Sequence, residues 1–103
     1  MINTHMPAVD GAKGTKPVLT FPSDEAPEGL QIQVLDAGDG QVVEAGDHIV
    51  CHYLGQTWNG DVFDNSYDRG APLDFQIGVG MVIRGWDDGL VGQRVGSRVL
   101  LSI

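Results

Sequence analysis

Cysteine is almost missing from this sequence: Cys51 is the single one in 103 residues. One cysteine excludes an internal disulfide, and a reducing compartment such as the cytoplasm is the expectation. Long apolar runs are missing too. No stretch approaches the roughly 20 apolar residues that a membrane helix needs. Residues Met1 to Met6 lack a basic region followed by an apolar core, so no signal peptide is expected. Basic side chains are scarce, six Lys and Arg against fourteen Asp and Glu, for a formal net charge of −8. Phosphate recognition draws on clustered Lys and Arg, and these six are scattered. Neither nucleic acid nor a membrane is therefore an expected partner. The acidity serves solubility.

The signatures of covalent and metal catalysis are also lacking. There is no P-loop, no G-x-G-x-x-G and no G-x-S-x-G. The three histidines, His5, His48 and His52, and Cys51 do not have zinc spacing. His48 and His52 fall on one face of a strand, where a two-histidine metal pair is conceivable. Two ordinary histidines are the simpler reading, and no metal or cofactor is expected. Cys51 has no basic cluster to lower its pKa and reads as a packed thiol. Asp87-Asp88 suits the positive end of a helix better than a carboxylate pair. Val91 to Gly96 reads as a turn, not a phosphate loop.

What the sequence does have is aromatic density between Tyr53 and Trp86. Six of its seven aromatic residues lie there: Tyr53, Trp58, Phe63, Tyr67, Phe75 and Trp86. Polar residues recur beside them, in Phe63-Asp64-Asn65-Ser66 and Asp68-Arg69-Gly70. Gly80-Met81-Val82-Ile83-Arg84-Gly85-Trp86 follows. That composition suits a concave apolar site with a few placed polar groups.

Four of the five prolines precede residue 28, so residues 1–27 are expected to be an extended or flexible arm, with Val18-Phe21 as its one strand-like run. From residue 28 to 103 one domain is expected. Leu30, Ile32 and Val34 alternate with Gln31 and Gln33, a half-buried strand. Gln41-Val43 reads as a second short strand and His48-Thr57 as a longer one. Trp58-Asn59-Gly60-Asp61 carries the Asn-Gly pair of a type I′ hairpin, which demands positive φ. Ser66-Pro72 reads as a loop, Leu73-Ile77 as a strand, Trp86-Leu90 as one or two helical turns, and Ser97-Ile103 as a strand. The fold class is α+β, several antiparallel strands with one short helix.

The motifs, in this order, resemble those of the FKBP-type peptidyl-prolyl isomerases, the immunophilins that bind tacrolimus and rapamycin. The matching pieces are His52-Tyr53-Leu54-Gly55, Gly60-Asp61-Val62-Phe63-Asp64-Asn65-Ser66, Asp68-Arg69-Gly70-Ala71-Pro72-Leu73, Phe75-Gln76-Ile77-Gly78, Val82-Ile83-Arg84-Gly85-Trp86 and Val95-Gly96-Ser97-Arg98. The match covers roughly Leu30 to Ile103, and the flavour is that of bacterial single-domain members. The resemblance implies an antiparallel β-sheet wrapped around one short α-helix, with the site between them. It implies catalytic roles for Asp64, Tyr53, Phe63 and Trp86. Peptide binding would fall to Tyr53, Phe63, Asp64, Arg69, Leu73, Val82, Ile83 and Trp86. By the same resemblance Trp86 would floor the pocket and the Ile83 N–H would receive a peptide carbonyl. Leu73 stands where members with high drug affinity often carry Phe, which shrinks one wall.

The implied activity is cis–trans isomerisation of Xaa-Pro bonds during protein folding, on proline-containing peptides or unfolded chains. Tacrolimus and rapamycin are the implied small ligands, with no cofactor. The alternative is a proline-peptide binding or chaperone module with little catalysis. Family members continue past this sequence with a flap loop and a last strand. The domain is thus expected to be incomplete at its C-terminus, with open strand edges that favour a strand-swapped oligomer.

Overall fold

Short alternating segments punctuated by glycine turns fold into eight strands and two short helices among the residues that this computed structural model describes, 6–103. The reading of Met1 to His5 lies outside them. In chain order the elements are β1 (Ala8–Asp10), β2 (Val18–Thr20), β3 (Gln31–Asp36), β4 (His48–Cys51), β5 (Leu54–Gln56), β6 (Val62–Asn65), α1 (Ser66–Arg69), β7 (Leu73–Gln76), α2 (Arg84–Leu90) and β8 (Arg98–Ser102). β1–β2, β3–β8 and β5–β6 pair antiparallel. β4 pairs with β7. The expected class, mostly antiparallel strands with short helices, is what the chain forms. The elements sort into two compact units. One holds the described residues up to Pro27 together with Cys51–Leu73; the other holds Glu28–Val50 and Asp74–Ile103.

In the second unit, Ile32 lies opposite Leu101 and Val34 opposite Val99. Directly paired residues share a face of the ribbon, so the expected apolar face exists. α2 packs on it against β8. The helix meets that face through its two buried glycines. A Cβ on Gly85 would sit 2.7 Å from Ile103 side-chain carbons, and one on Gly89 2.8 Å from a Leu101 methyl. Seven residues make a helix only about 10 Å long. It lies against Leu101 and touches Ile103, but leaves Ile103 65% exposed and Ile32 and Val34 at 44% and 46%. The burial of β3 is therefore the reverse of what its alternation predicts: Ile32 and Val34 are exposed, and Gln31, Gln33 and Leu35 are half-buried. The densest packing lies at β7 and just beyond, where Phe75 and Ile77 are buried. Ile77 is fixed by its N–H to Asp47 C=O at 3.0 Å and by its own C=O, which accepts from Gly46 N–H at 2.7 Å.

Gln41–Val43 does not make a strand. It contributes one isolated bridge, Val42 to Arg94. Its neighbours are held instead by Gly40 N–H to Val95 C=O and Gly38 N–H to Ser97 Oγ. At Gly38 two backbones touch: a Cβ there would stand 2.3 Å from Val95 O and 2.5 Å from Ser97 N. Backbone cannot rotate away as a side chain can. Gly38→Ala is expected to cost about 1–3 kcal/mol, the usual range for overpacking. Gly85→Ala, which meets only the pliable Ile103 side chain, should cost less. Urea melts of the two variants give the comparison; a Gly38→Ala midpoint equal to wild type would rule out the close approach.

In the first unit, β1 and β2 form a hairpin from the proline-rich segment, with Val9 opposite Leu19. β5 and β6 form a second hairpin. Its turn is not the expected type I′. The Gly60 N–H closes on Thr57 C=O at 2.9 Å, and only Asn59 takes a left-handed φ, +51°. Residues after β2 dress this turn. Phe21 meets Trp58 edge-on with ring centroids 4.9 Å apart, and Trp58 Nε1–H donates to Ser23 C=O at 2.8 Å.

Candidate functional site

The expected single strand from His48 to Thr57 is interrupted at His52-Tyr53, and the reason is Ser66. Its fully buried hydroxyl accepts the Tyr53 N–H at 2.8 Å and bonds His52 Nδ1 at 2.9 Å. The Ser66 N–H in turn donates to Tyr53 C=O at 2.9 Å. Tyr53 thus has its backbone satisfied by the start of α1 rather than by a strand ladder.

α1 itself was expected to be a loop. Asn65 caps it, its side-chain oxygen accepting from Asp68 N–H at 2.8 Å, and Gly70 ends it in the left-handed region. This is ordinary cap chemistry. The single turn carries Arg69 to Tyr53. Arg69 Nη2 donates to Tyr53 Oη, and Tyr53 O–H donates to Asp64 Oδ2, each at 2.5 Å. The guanidinium carbon also lies 5.4 Å from the Tyr53 ring centre, within cation–π reach. The bond to Asp64 holds the Tyr53 phenol above its usual pKa, and burial adds to that. Arg69 acts against the rise.

Beside this network runs an open groove lined by Lys16, Val62, Phe63, Asp64, Asn65, Asp68 and Arg69. Phe63 is 72% exposed, a large apolar ring left in water next to a fixed carboxylate. The ring lies on β5 because Gly55 has no side chain; a Cβ there would stand 2.8 Å from Phe63 Cζ. Lys16, from the loop between β1 and β2, reaches both Asp68 carboxylate oxygens at 3.0 Å. The bonds from Asn65 and Lys16 hold the Asp68 carboxyl below its usual pKa.

The second unit holds Trp86, Val82 and Ile83, while Leu73 is the last residue of the first. Trp86 sits on α2 with its ring 5.8 Å from that of buried Phe75, tilted by 47°. Ile83 is the residue before the helix. Its C=O accepts from the Trp86 and Asp87 N–H groups, while its side chain is 60% exposed. Val82 is half-buried. Asp87 lies in the first turn of α2, at the positive end where it was expected. Its two carboxylate oxygens accept from Gly78 N–H at 2.7 Å and Gly80 N–H at 3.0 Å, which fixes the loop before Val82. Asp88 takes Arg84 Nε at 3.3 Å. Leu73 is half-buried at the start of β7.

Of the residues expected in the site, the structure therefore brings Tyr53, Phe63, Asp64 and Arg69 to one face of the first unit. Trp86, Val82 and Ile83 belong to the second. His48 pairs with Asp74 and His52 stacks on Tyr67, so the two histidines have separate partners. Burial pushes the Cys51 thiol up to about 11, far from a reactive thiolate.

Residues 39–103 match the family FKBP-type peptidyl-prolyl cis-trans isomerase. The chain belongs to this family. An FK506-binding protein from Streptomyces anulatus is 46% identical over 89 residues, which are 85% of this chain and 72% of that protein. A peptidyl-prolyl cis-trans isomerase from Schizosaccharomyces pombe is 45% identical over 76 residues, 73% of this chain and 68% of that one. Among solved structures, the crystal structure of AtFKBP13 aligns with a TM-score of 0.68 at 41% identity, covering 78% of this chain and 69% of that one. Members of the family are peptidyl-prolyl cis-trans isomerases, and the family binds proline-containing peptides and FK506 or rapamycin.

For this FKBP-type chain Ser66 and Asp68 stood in the quoted motifs without a role, and Lys16 was not singled out. Asn65 with Asp68 three residues on and Gly70 beyond was a legible cap signal. Lys16 carried no local signal, because its partner is 52 residues away.

Proposed function

We propose that this chain accelerates rotation about Xaa-Pro bonds with Tyr53, Phe63, Asp64 and Trp86 as its catalytic residues. Arg69, Leu73, Val82 and Ile83 complete the peptide contacts, the Ile83 N–H receiving a carbonyl. The observation that carries the reading is the exposed Phe63 ring beside an Asp64 fixed by Tyr53 and Arg69.

Rotation crosses a barrier of about 18–20 kcal/mol set by amide resonance. Uncatalysed exchange takes tens to hundreds of seconds, roughly. No covalent bond breaks, so the reaction needs no nucleophile. Water stabilises the planar, charge-separated imide more than the twisted one. An apolar surface that strips one such hydrogen bond from the carbonyl lowers the barrier by about 1–3 kcal/mol. That is roughly ten- to hundredfold in rate. Grip on the twisted geometry supplies the remainder. Phe63 and Trp86 give the apolar shape. Asp64, restrained by the Tyr53 hydroxyl, faces the developing dipole of the turning amide.

The reading extends to tacrolimus or rapamycin as competing ligands. It includes strand exchange between copies, supported by the open edges of the two-stranded ribbons. A cytoplasmic setting fits a chain whose one cysteine has no second to bond. The test is refolding of a protein limited by a proline isomerisation step. The chain should speed the slow phase in proportion to its concentration, and the macrolide should cancel the effect. Peptide binding with an unchanged slow phase would instead favour a binding module.

A further inference from the structure

We propose that Lys16 is a positioning residue for this site, acting through helix α1 on the Arg69–Tyr53–Asp64 network. The inference rests on the isomerase reading of the same residues. Lys16 belongs to the proline-rich leading segment, which the family match at 39–103 does not include.

The geometry runs in one direction. The loop that carries Lys16 is closed on itself: Thr15 N–H and Thr15 Oγ both donate to Ala12 C=O, at 3.0 and 2.6 Å. The β1–β2 pairing anchors both of its ends. The Pro17 ring adds stiffness to the exit strand. From this base the Lys16 ammonium grips both oxygens of Asp68. Asp68 Oδ2 also accepts from Asn65 Nδ2 at 3.0 Å, and Asp68 N–H donates to Asn65 Oδ1. Asp68 is thus held from its own helix cap and from a separate hairpin.

α1 is a single turn of four residues. Helices of that length do not persist on their own backbone bonds. Bonds from outside the turn therefore set it, Ser66 to Tyr53 at its start and Lys16 to Asp68 next to Arg69. Arg69, the next residue, is the one that orients the Tyr53 hydroxyl. The ion pair is about half exposed on both sides, so its contribution to global stability is small. Its effect falls on the placement of Arg69, where small displacements matter to a shaped site.

The experiment uses the whole chain and two readouts. Lys16→Met should lower kcat/KM on a Leu-Pro peptide about two- to fivefold, the range an exposed ion pair carries, with the melting midpoint unchanged. Lys16→Arg should restore it. The second readout is the Tyr53 phenol titration, followed by ¹³C-labelled tyrosine NMR. The charged groups set on that phenol are Asp64 from β6 and Arg69 from α1. A loosened Arg69 no longer opposes the rise, so the phenol should titrate higher in Lys16→Met and not in Lys16→Arg.

An unmoved Tyr53 in Lys16→Met overturns the proposal. That holds also where KM alone rises, since Lys16 would then touch the peptide directly. A wild-type chain without isomerase activity defeats the isomerase reading, and the Tyr53 titration still decides whether Lys16 positions the network.

Discussion

Replacing Trp86 with alanine is expected to remove most peptide binding, at least tenfold, and to lower stability by about 2–3 kcal/mol. The stability part follows from packing. Truncating a fully buried aromatic costs about 3–5 kcal/mol. Trp86 is only half-buried, so a cost at or just below the lower end applies, but its ring supports Phe75, which is 4% exposed. For a small domain with only several kcal/mol in hand, about 5–15, that is a large fraction. The binding part follows from its proposed place under the proline ring. Aromatic side chains contribute large contact areas and dominate such sites. Urea melts and titration with a Leu-Pro peptide separate the two effects, with Trp86→Leu as the control that keeps an apolar core. A folded Trp86→Leu chain that binds as tightly as wild type would remove Trp86 from the site and leave it as a core residue.

The second large effect is expected at Asp64. Asp64→Leu should lower turnover about ten- to hundredfold, from the loss of one oriented polar interaction worth about 1–3 kcal/mol. Stability should scarcely change, because Asp64 is exposed on β6. The structure adds an internal reporter. The hydrogen bond to Asp64 is the main cause of the raised Tyr53 pKa, so its removal should bring the phenol down. Arg69 then acts on Tyr53 against burial alone. A wild-type rate in Asp64→Leu, with Tyr53 shifted down as expected, would mean that the carboxylate is bonded as described but is not used in catalysis.

The parts of the fold that were legible in the sequence are those set by local pattern. Alternation located β3, β7 and β8, and the Asp87-Asp88 segment located α2. What was not legible came from groups that meet across the chain. The break between β4 and β5 is made by the Ser66 hydroxyl taking the Tyr53 N–H. The type I′ expectation at Asn59-Gly60 failed because a longer turn, closed by Thr57 and Asp61, needs left-handed φ only at Asn59. Asp87 stands in the first turn of α2 as expected, but its bonds to the Gly78 and Gly80 N–H groups, seven to nine residues earlier, had no local signal.

The candidate site divides in the same way. The residues Tyr53, Phe63, Asp64 and Arg69 were readable from motif order, and three of them prove to be joined by hydrogen bonds. Lys16 was not readable. A lysine in a proline-rich lead looks like any solvated charge until the fold sets it against Asp68.

The most direct measurement is exchange NMR on a Leu-Pro peptide with catalytic amounts of the 103-residue chain. Cis and trans resonances should exchange faster in proportion to added protein, and tacrolimus or rapamycin should return exchange to its uncatalysed rate. Exchange that stays at the uncatalysed rate at every protein concentration would contradict the proposal that these residues catalyse prolyl isomerisation.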